Sequence, residues 1–153
     1  MSGIKQIANN PRARHDFHIL EDYETGICLT GTEVKSIRRG KINIKEAYVT
    51  IKNGEMFIIG ANIAPYSEGN RFNVDPLRQR KLLMHRHQIR NLHQQVKLDG
   101  LTLVPLSVYL SKGRVKLQIG LAKGKKNYDK RQDMIKRDAE RAMREHTRGG
   151  NYR

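Results

Sequence analysis

Apolar residues recur along this chain with two spacings, every second position in short runs and every third or fourth in a few others, and the runs end at turn residues. In the run 114–121, Val115, Leu117 and Ile119 alternate with Lys116 and Gln118, which predicts a strand with one face in a core and the other wet. Its predicted partner is Leu101–Leu110, reached across Ser111-Lys112-Gly113. Ala47–Lys52 and Met56–Ala61 flank Asn53-Gly54, the dipeptide that most readily supplies the two positive φ angles of a type I′ turn, so a second hairpin is expected there. Pro105 donates no ladder hydrogen bond and predicts an edge or a bulge. Phe17–Leu20 and Gly26–Thr30 complete six strands, separated by an acidic turn, Glu21-Asp22-Tyr23-Glu24.

Two stretches carry the helical spacing instead. Thr30 and Glu33 have capping-box separation, Val34 and Ile37 share a face, and Gly40 can end the short helix they define. Asp75-Pro76 combines a cap with a first-turn proline and opens a second helical region, interrupted, that runs to Leu98 with Ile89, Leu92 and Val96 on one face. Six short antiparallel strands broken by two or three helices predict a mainly β fold, a six-stranded closed barrel of the oligonucleotide-binding (OB) type.

The pattern fails beyond residue 122. From Lys123 to Arg153 there are eleven Lys and Arg against five acids, a net +6, and the apolar stripe is only Ile135, Ala139 and Ala142 or Met143. So thin a stripe gives a helix little to pack. The expected division is a barrel over 1–122 and a basic tail over 123–153, disordered when free and helical from about Asp129 to Glu145 when bound.

Charge points to the partner. Thirty Lys and Arg against 15 Asp and Glu leave +15 over 153 residues, a self-repulsion that a polyanion relieves. Nucleic acid is favoured over an acidic membrane surface, because Trp is absent and no bulky basic amphipathic helix is evident. No apolar run reaches the roughly 20 residues of a membrane span. Cys28 has no second cysteine to pair with and no signal-peptide pattern opens the chain, so a cytoplasmic protein is expected.

The segment Gly120–Arg131 surrounds Gly124 and Tyr128 with Lys123, Lys125, Lys126, Lys130 and Arg131, a stacking face amid phosphate-binding charges. Asp75–His87 sets Arg78, Arg80, Lys81, His85, Arg86 and His87 beside Leu82, Leu83 and Met84; Leu82 is expected in the core, with Leu83 and His85 candidates for an RNA surface. Glu24 is a scarce carboxylate able to accept hydrogen bonds from base amino groups or ribose hydroxyls. His85, His87 and His93 lack nearby cysteine or acid ligands, so neither metal nor other cofactor is expected. His15 and His18 with the lysines keep a metal-independent ribonuclease open, although nothing in their spacing fixes a shared site. P-loop, nucleophile-elbow and dinucleotide motifs are missing.

Five segments together resemble the small protein B family, bacterial partners of transfer-messenger RNA in trans-translation. They are N-P-R-A-R-H-D-F at Asn10–Phe17, Y-E-T-G-I at Tyr23–Ile27, L-T-G-T-E-V-K-S at Leu29–Ser36, D-P-L-R-Q-R-K-L-L-M-H at Asp75–His85, and G-L-A-K-G-K-K-N-Y-D-K-R at Gly120–Arg131. The chain departs from the family's usual pattern at Pro11, Thr25 and Met84.

The resemblance implies a non-catalytic adaptor for ribosome rescue. Its OB-like barrel would bind the tRNA-like domain of transfer-messenger RNA through Glu24, Leu83, His85 and Lys116. Its tail would enter the decoding centre and the empty message channel of a stalled ribosome, with Tyr128 stacking and Asp129, Lys130 and Arg131 needed for accommodation. Elongation factor Tu and alanyl-tRNA synthetase would be partners only through the RNA. The competing reading is a general ribosome-associated translation factor.

Overall fold

The computed structural model describes residues 4–66, 73–125 and 127–150; the side chains of 127–130, 133 and 144–150 lie outside that description. The elements in order are β1 (Ile4–Asn9), α1 (Pro11–Asp16), β2 (Phe17–Ile27), α2 (Gly31–Arg38), β3 (Ile42–Asn43), β4 (Tyr48–Lys52), β5 (Glu55–Ile59), β6 (Asn62–Ile63), β7 (Arg80–Leu83), α3 (Arg86–Asp99), β8 (Thr102–Ser111), β9 (Arg114–Gly124) and α4 (Asn127–Gly150).

All pairings are antiparallel, in the order β1-β8-β4-β5-β7-β2-β9, and β9 also pairs with β8. Six strands therefore form a ring, with β1 added outside on β8 and a two-stranded sheet, β3-β6, beside it. The predicted mainly β class with helices is what the chain forms.

Both hairpin turns follow from their residues. Asn53 and Gly54 have φ of 52° and 77°, and Lys112 and Gly113 the same pair of values, the positive angles of type I′ turns. The helix α2 carries the predicted capping box: Thr30 Oγ1 accepts from the Glu33 amide while Glu33 Oε1 accepts from the Thr30 amide. The ladder shifts register between Pro105 and Ser107, the bulge that a proline without an N–H imposes.

Ring interior and outer face are both packed. Val115, Leu117, Ile119 and Leu121 of β9 join Met56, Ile58, Leu82 and Val108 in the main core, which Ile89 and Leu92 of α3 close on one side. On the outside, α1 lays Ala13 against Val104, Leu106 and Ala122, so β8 is buried on both faces from Leu103 to Leu106 and reads as a continuous apolar run.

Three expectations are corrected. The acidic stretch 21–24 is not a turn: β2 runs unbroken from Phe17 to Ile27, because β9 pairs with it along its length and a register shift between Ile19 and Glu21 absorbs the odd residue. Gly26–Thr30 is accordingly no separate strand. The helical region expected from Asp75 is a single turn, with Asp75 Oδ1 accepting from the Leu77 amide, followed by strand β7; α3 begins only at Arg86. The helix-starting chemistry at Asp75-Pro76 is real, but pairing of Arg80–Leu83 with β5 and β2 overrides its continuation.

Candidate nucleic-acid interface

Register brings the predicted barrel residues together. Leu83 on β7 pairs with Gly26 on β2, Gly26 pairs with Lys116 on β9, and Lys116 pairs with Tyr109 on β8, giving one cross-strand row over four neighbouring strands. Glu24 lies two residues from Gly26 on the same face of β2, opposite Gln118, which in turn faces Ser107. Three of the candidate residues, the leucine, the lysine and the carboxylate, thus share one outer surface with the bare glycine between them.

Each position has a local cause. Val115, Leu117 and Ile119 face the core, so the pleat turns Lys116 and Gln118 outward. Gly26 makes room for Leu83: a Cβ at Gly26 would lie 3.2 Å from the Leu83 Cβ. Leu83, alternating with buried Leu82, is left 51% exposed, an apolar cost that a binding surface offsets when a partner covers it. Together with Leu29, Val34 and Arg114, the row frames a shallow depression of about 310 Å³.

The carboxylate of Glu24 accepts a 2.5 Å hydrogen bond from the Tyr109 hydroxyl. Partial burial, then that bond and the charges of Glu24 and Asp22, push the Tyr109 phenol well above its ordinary range, so it remains a donor. Tyr23, whose hydroxyl bonds Glu21, is pushed up to about 12 by burial first and then by Glu21 and Asp22. His85 caps α3 through its backbone carbonyl, which accepts from the amides of Gln88 and Ile89, leaving the exposed imidazole stacked on His87 with centroids 5.7 Å apart.

Not every base in the Asp75–His87 stretch is available. Arg80 is fully buried, its Nε donating to Glu33 Oε2 at 2.8 Å and its terminal nitrogens to the carbonyls of Ala61 and Pro76 at 2.9 and 3.0 Å. Arg78 donates to the other Glu33 oxygen at 2.6 Å. Burial alone would raise the Glu33 pKa, but the bonds from Arg78, the Thr30 amide and Arg80 outweigh it and hold the carboxyl below its usual range. These two arginines fasten α2 to β7 and to the segment just before it. A cation 47 residues from its carboxylate gives no signal in the sequence that it is core rather than surface.

The tail candidates are placed unevenly. Lys123 is exposed within β9, opposite His18 on β2. Lys125 is anchored to α1, its amide donating to the Asp16 carbonyl at 2.9 Å and its Nζ to the Arg14 carbonyl at 3.1 Å. Arg131 is exposed on α4; Lys126 lies outside the described residues, as do the side chains of Tyr128, Asp129 and Lys130. The helix α4 leaves Met134 51% and Ile135 60% exposed. Among the described residues no helix is long and apolar enough to cross a membrane, and no group of three or more His, Cys, Asp or Glu is placed to hold a metal.

Missed in the sequence were Tyr109, which holds Glu24, and Gly26, which joins Leu83 to Lys116. Both emerge only from strand register.

An outward lysine, a seated carboxylate and an uncovered leucine on neighbouring strands suit phosphates, base edges and base faces, so fold and surface together define a nucleic-acid-binding module. Known proteins narrow this. Residues 7–149 match the family model described as SmpB protein, and the chain belongs to that family. It is 51% identical over 146 residues to an SsrA-binding protein of Desulfitobacterium hafniense, covering 95% of this chain and 94% of the relative. It is 56% identical over 137 residues to an SsrA-binding protein of Acetivibrio thermocellus, covering 90% and 89%. A chain from the structure described as "tmRNA-SmpB: a journey to the center of the bacterial ribosome" is 50% identical, with a TM-score of 0.65 over 78% of this chain and 85% of that one.

Proposed function

We propose that this protein is an RNA-binding adaptor of trans-translation, whose strand ring is an OB-like body that holds the tRNA-like domain of transfer-messenger RNA. The carrying observation is the cross-strand row Leu83–Gly26–Lys116 with Glu24 beside it. Lys116 supplies a phosphate contact, Leu83 and the His85 ring offer apolar and stacking surface, and Glu24, already oriented by Tyr109, accepts from a base amino group or ribose hydroxyl. The names of its relatives support the RNA, and the ribosomal setting of the similar structure supports the site of action.

The second half of the proposal concerns the tail. The basic residues Lys123, Lys125, Lys126, Lys130 and Arg131, with Tyr128 and Asp129, contact the decoding centre and empty message channel of a stalled ribosome. The tail, whose described α4 side chains are exposed and have little to pack against, is disordered when the protein is free and becomes helical on the ribosome, at the entropic cost of coupled folding. Elongation factor Tu and alanyl-tRNA synthetase are reached through the RNA alone, and the protein works in the cytoplasm, where ribosomes are.

The test is equilibrium binding of the purified protein to transfer-messenger RNA and to an ordinary tRNA at one fixed salt concentration, since phosphate contacts make affinity steeply salt-dependent. Tighter binding to transfer-messenger RNA is expected, weakened by Lys116→Gln and Leu83→Asp. Equal affinity for both RNAs would sink the proposal.

A further inference from the structure

Leu83 stands between two hollows. Beyond the row already described, it also lines a larger one of about 690 Å³ between α3 and the β4–β5 hairpin, with Ile51, Met84, Ile89, Arg86 and Arg90 among its walls. A second hollow of about 280 Å³ follows, lined by Val49, Val96, Lys97 and Thr102. Both include Ile51 and His93, so they join into one groove along α3.

The helix turns a basic edge to that groove. Arg86, Arg90, His93 and Lys97 follow one another at intervals of four, three and four residues, one face of an α-helix, at steps of about 4.5–6 Å along the axis. Among the residues lining the groove, the carboxylate is Glu55, and Lys81 neutralises it at 2.5 Å. The side chains of Arg86, Arg90 and Lys97 make no hydrogen bond or ion pair among the described residues. Three uncommitted cations spread over about 16 Å of one helix edge, above an apolar floor, fit a linear polyanion whose sugar and base faces also need covering.

We propose that this groove carries the sugar-phosphate backbone of the bound RNA onward from Leu83, so that the interface has two channels divided by the Leu83 side chain. The inference rests on the reading of the protein as an RNA adaptor but assigns a surface that reading does not use. Its charge complementarity favours RNA over an acidic peptide, which presents no evenly spaced row of phosphates.

The test compares three variants against transfer-messenger RNA over a salt series: the triple Arg86→Gln, Arg90→Gln, Lys97→Gln; a control triple of equal charge, Lys5→Gln, Lys41→Gln, Lys45→Gln; and Lys116→Gln from the row. Each lost phosphate contact flattens the dependence of log K on log salt by about 0.7–0.9, so the groove triple is expected to flatten it by about 2–3 and to weaken binding on the order of 100-fold near 0.15 M salt. The control triple is expected to keep a slope close to that of the unsubstituted protein. If the groove triple keeps the original slope while Lys116→Gln loses affinity, the groove does not bind RNA and the row does. If the control triple loses as much as the groove triple, the effect is net charge and the groove proposal falls. Unchanged binding in both the groove triple and Lys116→Gln would overturn the groove and the row together.

Discussion

Two tyrosines beside the acidic part of β2 are held in their neutral, donating form, Tyr109 on Glu24 and Tyr23 on Glu21. Partial burial and the neighbouring carboxylates raise both phenols, Tyr23 to about 12 and Tyr109 further. A raised acid contributes stability that is fully present below its unfolded value, near 10 for tyrosine, and that is lost as pH rises through the folded value. An alkaline titration of tyrosinate absorbance should therefore show two of the six tyrosines ionising late, one removed by Tyr23→Phe and one by Tyr109→Phe. Simultaneous ionisation of all six would mean these bonds are not kept in solution. Glu33 has the opposite sign: its lowered pKa gives stability above the unfolded carboxylate value that disappears as pH falls through the folded one. Glu33→Gln leaves the buried Arg80 without its counter-charge and is expected to cost roughly 3–5 kcal/mol in urea unfolding at neutral pH. The gap between variant and parent should narrow in acid; a gap independent of pH would show that the pair is not ionised.

Where the folded body ends is decided by β9 rather than by composition. Lys123 and Gly124 still pair with His18 and Phe17, and Lys125 is tied to Asp16 and Arg14. Truncation after Lys125 is thus expected to leave urea stability unchanged, whereas truncation after Ala122 should lower it by about 1–3 kcal/mol through the lost ladder and anchor bonds. Equal stability of the two truncated chains would show that these last residues do not hold the body. The same strands show what a sequence can carry. Asn53-Gly54, Lys112-Gly113, the Thr30–Glu33 box and the alternation in β9 are self-sufficient signals, because each depends on residues within four positions. The strands β7 and β1 were not legible. One is four residues long with a buried arginine whose partner is remote, and the other is largely exposed and lacks a clean alternation. The acidic stretch of β2 looked like a turn for the same reason, since only β9 lying opposite makes it a strand. Site residues were recognisable singly, from motif resemblance, but their assembly into a row needed the pairing of Gly26 with both Leu83 and Lys116.

At the scale of the molecule, a net charge of +15 is divided between a body with a built outer surface and a helix whose described side chains are exposed. The division predicts a particular asymmetry between two kinds of damaged protein. A chain ending at Lys125 retains the row and the α3 groove, so it should bind transfer-messenger RNA with nearly the parent affinity yet fail to rescue stalled ribosomes. Because it occupies the RNA unproductively, adding it in excess to a translation mixture should inhibit rescue by the full-length protein. A Leu83→Asp, Lys116→Gln chain keeps the tail but holds the RNA weakly, so the same excess should inhibit far less. Rescue is read as release of a nascent chain from a truncated message, with RNA binding measured in parallel at the same salt. If the shortened chain binds the RNA but does not inhibit, the body does not act as the RNA-holding half of the adaptor. If it fails to bind, the tail supplies part of the RNA affinity and the two surfaces are one.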